Sequence, residues 1–191
     1  MSPGLYYTQD LNSFMDTRQV IWISALVLTL CAGWLDWRSR RIPNWLTVPG
    51  ILLGITVNSV LTGWHGAKMS LEGAGLALVL LLPLVLLRGF GAGDWKLMGA
   101  VGAFLGPILF LFVLFGSVFV SGLMAMIAMM RTNRVLTTLR NMVQLIRGFV
   151  SFGLREKPKI TLDNPQLLKL PFGVAVAVST IICFFAGRWG W

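Results

Sequence analysis

Gly89-Phe90-Gly91-Ala92-Gly93-Asp94-Trp95-Lys96-Leu97 is a glycine-rich turn that sets one carboxylate, Asp94, between two strongly apolar segments. The segment that follows, Trp95 to Met130, contains 36 nearly uninterrupted apolar or small residues. At about 1.5 Å per residue that is roughly 54 Å of helix, too long for one crossing of a roughly 30 Å hydrocarbon core. Gly106-Pro107 is the natural break, giving a short helix 95–105 and a full one 107–130. The segment before the turn, Leu71 to Leu87, makes another crossing. Its Pro83 is tolerable because neighbouring helices can satisfy the freed backbone group.

Further out, Val20–Leu35 and Trp45 to about Leu61 read as the first two spans, and Pro171–Ala186 as the last. The expectation is an all-α polytopic bundle of six transmembrane helices, one membrane-embedded domain over 1–191 with a polar tail at 1–19. Composition agrees: 56% of the 191 residues are hydrophobic and 12% charged, where a soluble domain carries about 25% charged. Mean hydropathy is +0.77. The apolar run after residue 19 is followed by no small-x-small cleavage site, so it reads as a permanent anchor.

Net charge is +9. The basic residues lie between apolar spans, so the lipid bilayer accounts for them and nucleic acid does not. With the N-terminus outside, the inward loops 36–44, 88–96 and 131–170 hold thirteen of the 16 Lys and Arg residues. This positive-inside bias depends on splitting the long run at Gly106. Both termini then lie outside, and Asp36 and Asp94 share the cytoplasmic face. Within the cytoplasmic segment 131–170, Leu136, Leu139, Val143, Ile146 and Val150 recur at helical spacing with Arg134, Arg140 and Arg147 between them. They predict a basic amphipathic helix over 131–150.

The chain has 7 acidic residues, and only Asp36, Glu72 and Asp94 sit at the edges of apolar runs. An ionisable group near membrane depth marks a candidate site. Each has a plainer reading. Asp36, beside Arg38 and Arg40, fits an interfacial ion pair, and Asp94 fits a helix N-cap. Glycines at 89, 91 and 93 leave more room than a cap needs, as an extended peptide would require. Two carboxylates brought together cannot both ionise cheaply, so one keeps a proton, and such a pair can hold and activate a water. Lys96 reads equally as a snorkelling anchor or as a charge partner of the site. Gly99, Gly102, Ala103 and Gly106 predict close helix contact. With one histidine, and with Cys31 and Cys183 read as buried free thiols in apolar runs, no ordinary metal site is expected.

These residues resemble the type IV prepilin peptidases. Asp36-Trp-Arg-Ser-Arg-Arg-Ile-Pro-Asn44, followed by Leu46-Thr47, looks like the family's first aspartate motif. Gly91-Ala-Gly-Asp94-Trp-Lys96-Leu97 resembles its Gly-x-Gly-Asp motif, and Leu170-Pro171-Phe172-Gly173 the start of its last helix. The resemblance implies an aspartic endopeptidase of the bacterial inner membrane. It would clip basic leaders from prepilins or pseudopilins at the cytoplasmic face, with Asp36 and Asp94 catalytic and no cofactor. Gly91, Gly93, Lys96, Pro43 and Asn44 would shape the site. The chain has no Cys-x-x-Cys pair of the kind found in methylating members. It therefore resembles the short CpaA/TadV-type members, which serve Flp pili. The other readings are a non-enzymatic scaffold of a pilus or secretion apparatus, or a proton-coupled carrier. A carrier should show internal symmetry and broken helices near the midplane, whereas both aspartates fall at one surface.

Overall fold

The computed structural model describes residues 4–87, 90–132 and 171–190, with side chains described over 17–87, 90–131 and 171–187. They form four helices: α1 (Gly4–Ser39), α2 (Asn44–Leu86), α3 (Ala92–Thr132) and α4 (Phe172–Gly190). Among the described residues there is no strand. Thr17–Ser39, α2 and Ala92–Arg131 are long and apolar enough to cross a membrane, and Phe172–Gly187 is a shorter apolar helix.

Where six helices were expected, α2 and α3 each run as one helical element with a single broken residue. In α3 the break falls at Gly106 (φ 74°, ψ 177°), as Gly106-Pro107 suggested. In α2 it falls at Gly63 (φ 63°, ψ −144°). Residues 64–70, which fall between the expected spans ending near Leu61 and starting at Leu71, are themselves helical. The turn fits into one residue because Gly63 takes a left-handed conformation. Gly66 then lies directly on the Asn58 carbonyl and the Thr62 hydroxyl, where a Cβ would have no room. The 1–19 tail also differs from expectation, since α1 starts at Gly4. No Gly or Pro lies between Leu5 and Arg18 to stop it. The amphipathic helix expected at 131–150 lies almost wholly outside the described residues.

The contacts trace the chain's path. Cβ atoms built at Gly50 and Gly54 would meet Ala100 and Ala103, so the first limb of α2 runs parallel to the start of α3. Gly73 lies against Gly102 and Gly106, and Gly99 against Leu78, so the second limb runs back. Gly73 and Gly102 touch backbone to backbone, the close approach that the small residues of α3 predicted. After Gly106, Ser179 Oγ donates to the Val113 carbonyl (2.9 Å), which lays the 107–132 limb beside α4.

Residues 97–106 are all buried, so this limb of α3 is enclosed by its neighbours. Around it pack Ala25, Leu28 and Ala32 of α1, Ala77 and Leu81 of α2, and Val176 of α4. Large apolar side chains face outward: Val60, Trp64, Leu86, Phe115 and Phe119 are all exposed. Small residues inside and large ones outside is how helices pack in lipid. Cys31 and Cys183 are free, and Cys31 is exposed on the apolar exterior rather than buried.

At the end of the bundle holding Gly63 and Gly106, Asn58 Nδ2 lies within 2.8–3.1 Å of Ser70 Oγ and of the Gly54, Ala103 and Phe104 carbonyls. Ser70 Oγ donates to the Ala103 carbonyl at 2.6 Å. The partner of that carbonyl in an unbroken helix would be the N–H of residue 107, which is proline and has none. Asn58 and Ser70 thus satisfy backbone groups released by the break. A cavity of about 180 Å³ lies alongside, lined by Arg18, Trp22, Asn58, His65, Met69 and Leu109 among others.

Candidate active site

The aspartates occupy the other end, where the carboxyl end of α1 meets the amino ends of α2, α3 and α4. Asp36 lies in the last turn of α1 and is 5% exposed. The helix closes at Arg40, whose N–H donates to the Asp36 carbonyl (2.8 Å) with φ 51°. A left-handed residue is a common helix stop, but glycine usually fills it. Arg40 takes it at some strain, turns the chain, and keeps its charge near Asp36.

The chain then drops into Ile42-Pro43-Asn44. Pro43 (φ −75°, ψ 147°) is the cap of α2, a conformation proline favours. Ile42 is buried and touches both later elements. A Cβ on Gly93 would come 2.9 Å from the Ile42 carbonyl, and one on Gly173 would come 3.2 Å from Ile42 Cδ1. Gly93 is therefore needed for its lack of a side chain, because a methyl there would strike backbone. Gly91 has a similar reason: a Cβ there would sit 2.7 Å from Asp94 Oδ2.

Asp94 is the third residue of α3, inside the first turn and one turn beyond an N-cap position. Its carboxyl reaches back toward Gly91; Gly93 beside it abuts Ile42, and so does Gly173, which meets Asp36. The turn that carries it is pinned from two sides. Trp95 Nε1 donates to the Leu78 carbonyl (2.9 Å), and Phe90 packs edge-on against Phe172 with centroids 5.0 Å apart. Lys96 and Asn44 meet: Lys96 Nζ donates to Asn44 Oδ1 at 3.0 Å, at an exposed position. Lys96 thus links the amino ends of α2 and α3 instead of pairing with an aspartate.

Two features escaped the sequence reading. Gly173 N–H donates to Asp36 Oδ2 at 2.7 Å, across 137 residues of chain. The segment Leu170–Gly173 had stood out only as the start of a helix. No local pattern says that a backbone amide will find a distant carboxylate. Thr47, three residues after Asn44, is fully buried, and its hydroxyl is the buried side-chain polar atom without a partner among the described residues. Glu72 stays away from the aspartates, paired with Lys68 (3.8 Å) on the surface of α2. Among the described residues no three His, Cys, Asp or Glu side chains are grouped to hold a metal ion.

Seven sequence-selected residues thus fall at one end of the bundle: two carboxylates, the two glycines that clear space beside them, and the Pro43-Asn44-Lys96 brace. The profile of the type IV leader peptidase family matches residues 22–126, just over half the chain. The chain belongs to this family. The matched stretch holds both aspartates and stops short of Gly173. No curated relative and no solved structure matches the chain. The leader peptidase family makes it a membrane-bound peptidase of prepilin processing in general terms.

Proposed function

We propose that the protein is an aspartic endopeptidase of the bacterial inner membrane, with Asp36 and Asp94 as its catalytic pair. It removes the short basic leader of a prepilin or pseudopilin at the cytoplasmic face. The observation that carries this reading is the convergence of two carboxylates, from helices 58 residues apart in sequence, at one end of an apolar bundle. Gathering two carboxylates at one end of an apolar bundle, one of them buried, is costly and is not kept for packing alone. One carboxylate, ionised, takes a proton from a water. The water oxygen attacks the scissile carbonyl, and the protonated partner donates to the leaving nitrogen as the C–N bond breaks.

The breaks at Gly63 and Gly106 support six crossings, with both termini outside and the aspartates inside. The basic bias of the segments at the aspartate end supports the same orientation. The exposed tryptophans at 34, 37 and 45 sit at that end, where an interface belt would lie. A scissile bond should then fall where a substrate's apolar helix meets its basic leader. With 2 cysteines and no Cys-x-x-Cys pair, leader removal without methylation is the activity expected.

The deciding experiment is co-expression with candidate prepilins. A leader-sized loss should appear with the natural chain and vanish with Asp94→Asn, while insertion into the membrane is unchanged. A scaffold would tolerate the Asn, and processing that survives it would leave the scaffold reading standing.

A further inference from the structure

Two carboxylates that share one charge must hold it unequally or trade it. The surroundings of Asp36 and Asp94 differ in a way that bears on this. Asp36 Oδ2 accepts the Gly173 N–H at 2.7 Å. Among the described residues Asp94 has no hydrogen-bond donor.

Gly173 is the second residue of α4, and Pro171 immediately precedes that helix. An amide in the first turn of a helix has no carbonyl partner of its own. It also lies at the positive end of the helix dipole. An N–H can only donate, so the oxygen it holds cannot carry the proton along that bond. A hydrogen bond to an ionised acceptor is roughly twice as strong as one to a neutral acceptor, so the contact favours the charged form. Arg40, in the turn after α1, adds a cation near the same carboxylate. Asp94 also lies in a first turn, that of α3, but it takes only the diffuse field of that helix and not an amide.

The contact is a fitted one. A Cβ on Gly173 would sit 3.0 Å from Asp36 Cβ and 3.1 Å from Oδ2. One turn back along α1, a Cβ on Gly33 would sit 3.2 Å from the Gly173 carbonyl. Glycine on both helices lets the amino end of α4 reach the carboxylate.

We propose that the amino end of α4 decides which aspartate carries the charge: the Gly173 amide holds Asp36 as the carboxylate, and the shared proton resides on Asp94. This rests on the peptidase reading above and assigns its two roles. Asp36 is the base that takes the water proton through its other oxygen, Oδ1. Asp94 is the acid that protonates the departing nitrogen. Once the C–N bond has broken, the proton on Asp36 returns to Asp94 and the pair is reset. Gly173 acts through Asp36 and is a positioning residue.

Solid-state NMR of the whole chain in lipid vesicles tests this without requiring activity. Gly93-Asp94 is the single Gly-Asp pair in the sequence, so carbonyl-labelled glycine with fully labelled aspartate assigns the Asp94 carboxyl carbon uniquely. At neutral pH that carbon should resonate as a protonated acid. Finding it as a carboxylate overturns the proposal. Gly173→Pro deletes the amide hydrogen, and Asp94 should then move toward the carboxylate position. Gly173→Ala keeps the donor and adds comparable crowding, and Asp94 should stay protonated. If the proline chain fails to insert, an ester at 173 in place of the amide removes the same hydrogen with little change of shape. An Asp94 signal unmoved by loss of the amide would show that α4 does not decide the matter. The peptidase reading fails separately: a protonated Asp94 in a protein that cuts no prepilin leaves the proton assignment intact.

Discussion

Asn58 and Asp36 are both buried polar residues in an apolar bundle, and each sits where helices break or end. At Asn58 nearly everything is paired. Its amide and the Ser70 hydroxyl bond carbonyls that the Gly106-Pro107 break releases. At Asp36 little is paired: one backbone amide serves one oxygen, a second carboxylate lies nearby, and the Thr47 hydroxyl one helical turn from Asn44 has no partner. A saturated polar cluster holds helices together. An unsaturated one, carrying charge, is held together by the helices around it, and its spare valences are free for water and substrate.

Substitution should separate the two ends, and the largest effect belongs to the carboxylates. Asp36→Asn or Asp94→Asn should lower cleavage of a verified prepilin by at least about a hundredfold, as expected for loss of a general acid or base. The thermal midpoint of the purified protein should hardly fall. At the other end, Gly73→Val forces a side chain into the backbone of Gly102 and Gly106. It should cost about 3 kcal/mol of stability and reduce the amount of inserted protein, read by melting and by membrane yield. Asn58→Leu strands the Phe104 carbonyl and leaves the Ala103 carbonyl to Ser70 alone, and should cost about 1–3 kcal/mol, with kcat per folded molecule close to normal. If Asn58→Leu removed cleavage but left melting alone, the division into a structural and a chemical end would be wrong.

Smaller changes sharpen the line between the ends. Lys96→Met removes the exposed bond to Asn44 and should lower cleavage only severalfold, in keeping with about 1 kcal/mol for one such bond. Thr47→Val removes an unpartnered buried hydroxyl at nearly constant shape. It should raise the melting temperature slightly, leaving cleavage as it was. A loss of cleavage without a change in melting would extend the chemical end one turn deeper.

Much of this arrangement could be read from sequence, for reasons that differ by residue. Asp36 and Asp94 stood out because charge is scarce in an apolar chain, and Gly106-Pro107 because one helix cannot be 36 residues long in a bilayer. Gly91 and Gly93 were read as clearing space, and the near contacts of Asp94 and Ile42 supply the reason. The reversal at Gly63 was misplaced into a loop, since one left-handed glycine leaves no run of turn residues to see. Lys96 reads from sequence equally as a membrane anchor or a charge partner of the site, and neither reading names Asn44, a partner fixed by two helices starting side by side. Gly173 and Asn58 act through backbone groups 137 and about 45 residues away, and no spacing rule reaches so far.

The central claim is that Asp36 and Asp94 work as one unit, and a double-mutant cycle tests it most directly. Cleavage of one prepilin would be measured in vesicles for the natural chain, Asp36→Asn, Asp94→Asn and the double variant, each at matched inserted amounts. Groups acting as a unit are strongly non-additive, so the double variant should be no slower than either single one. Losses that multiply, or a single variant that still cleaves at near-normal rate, would contradict a coupled pair.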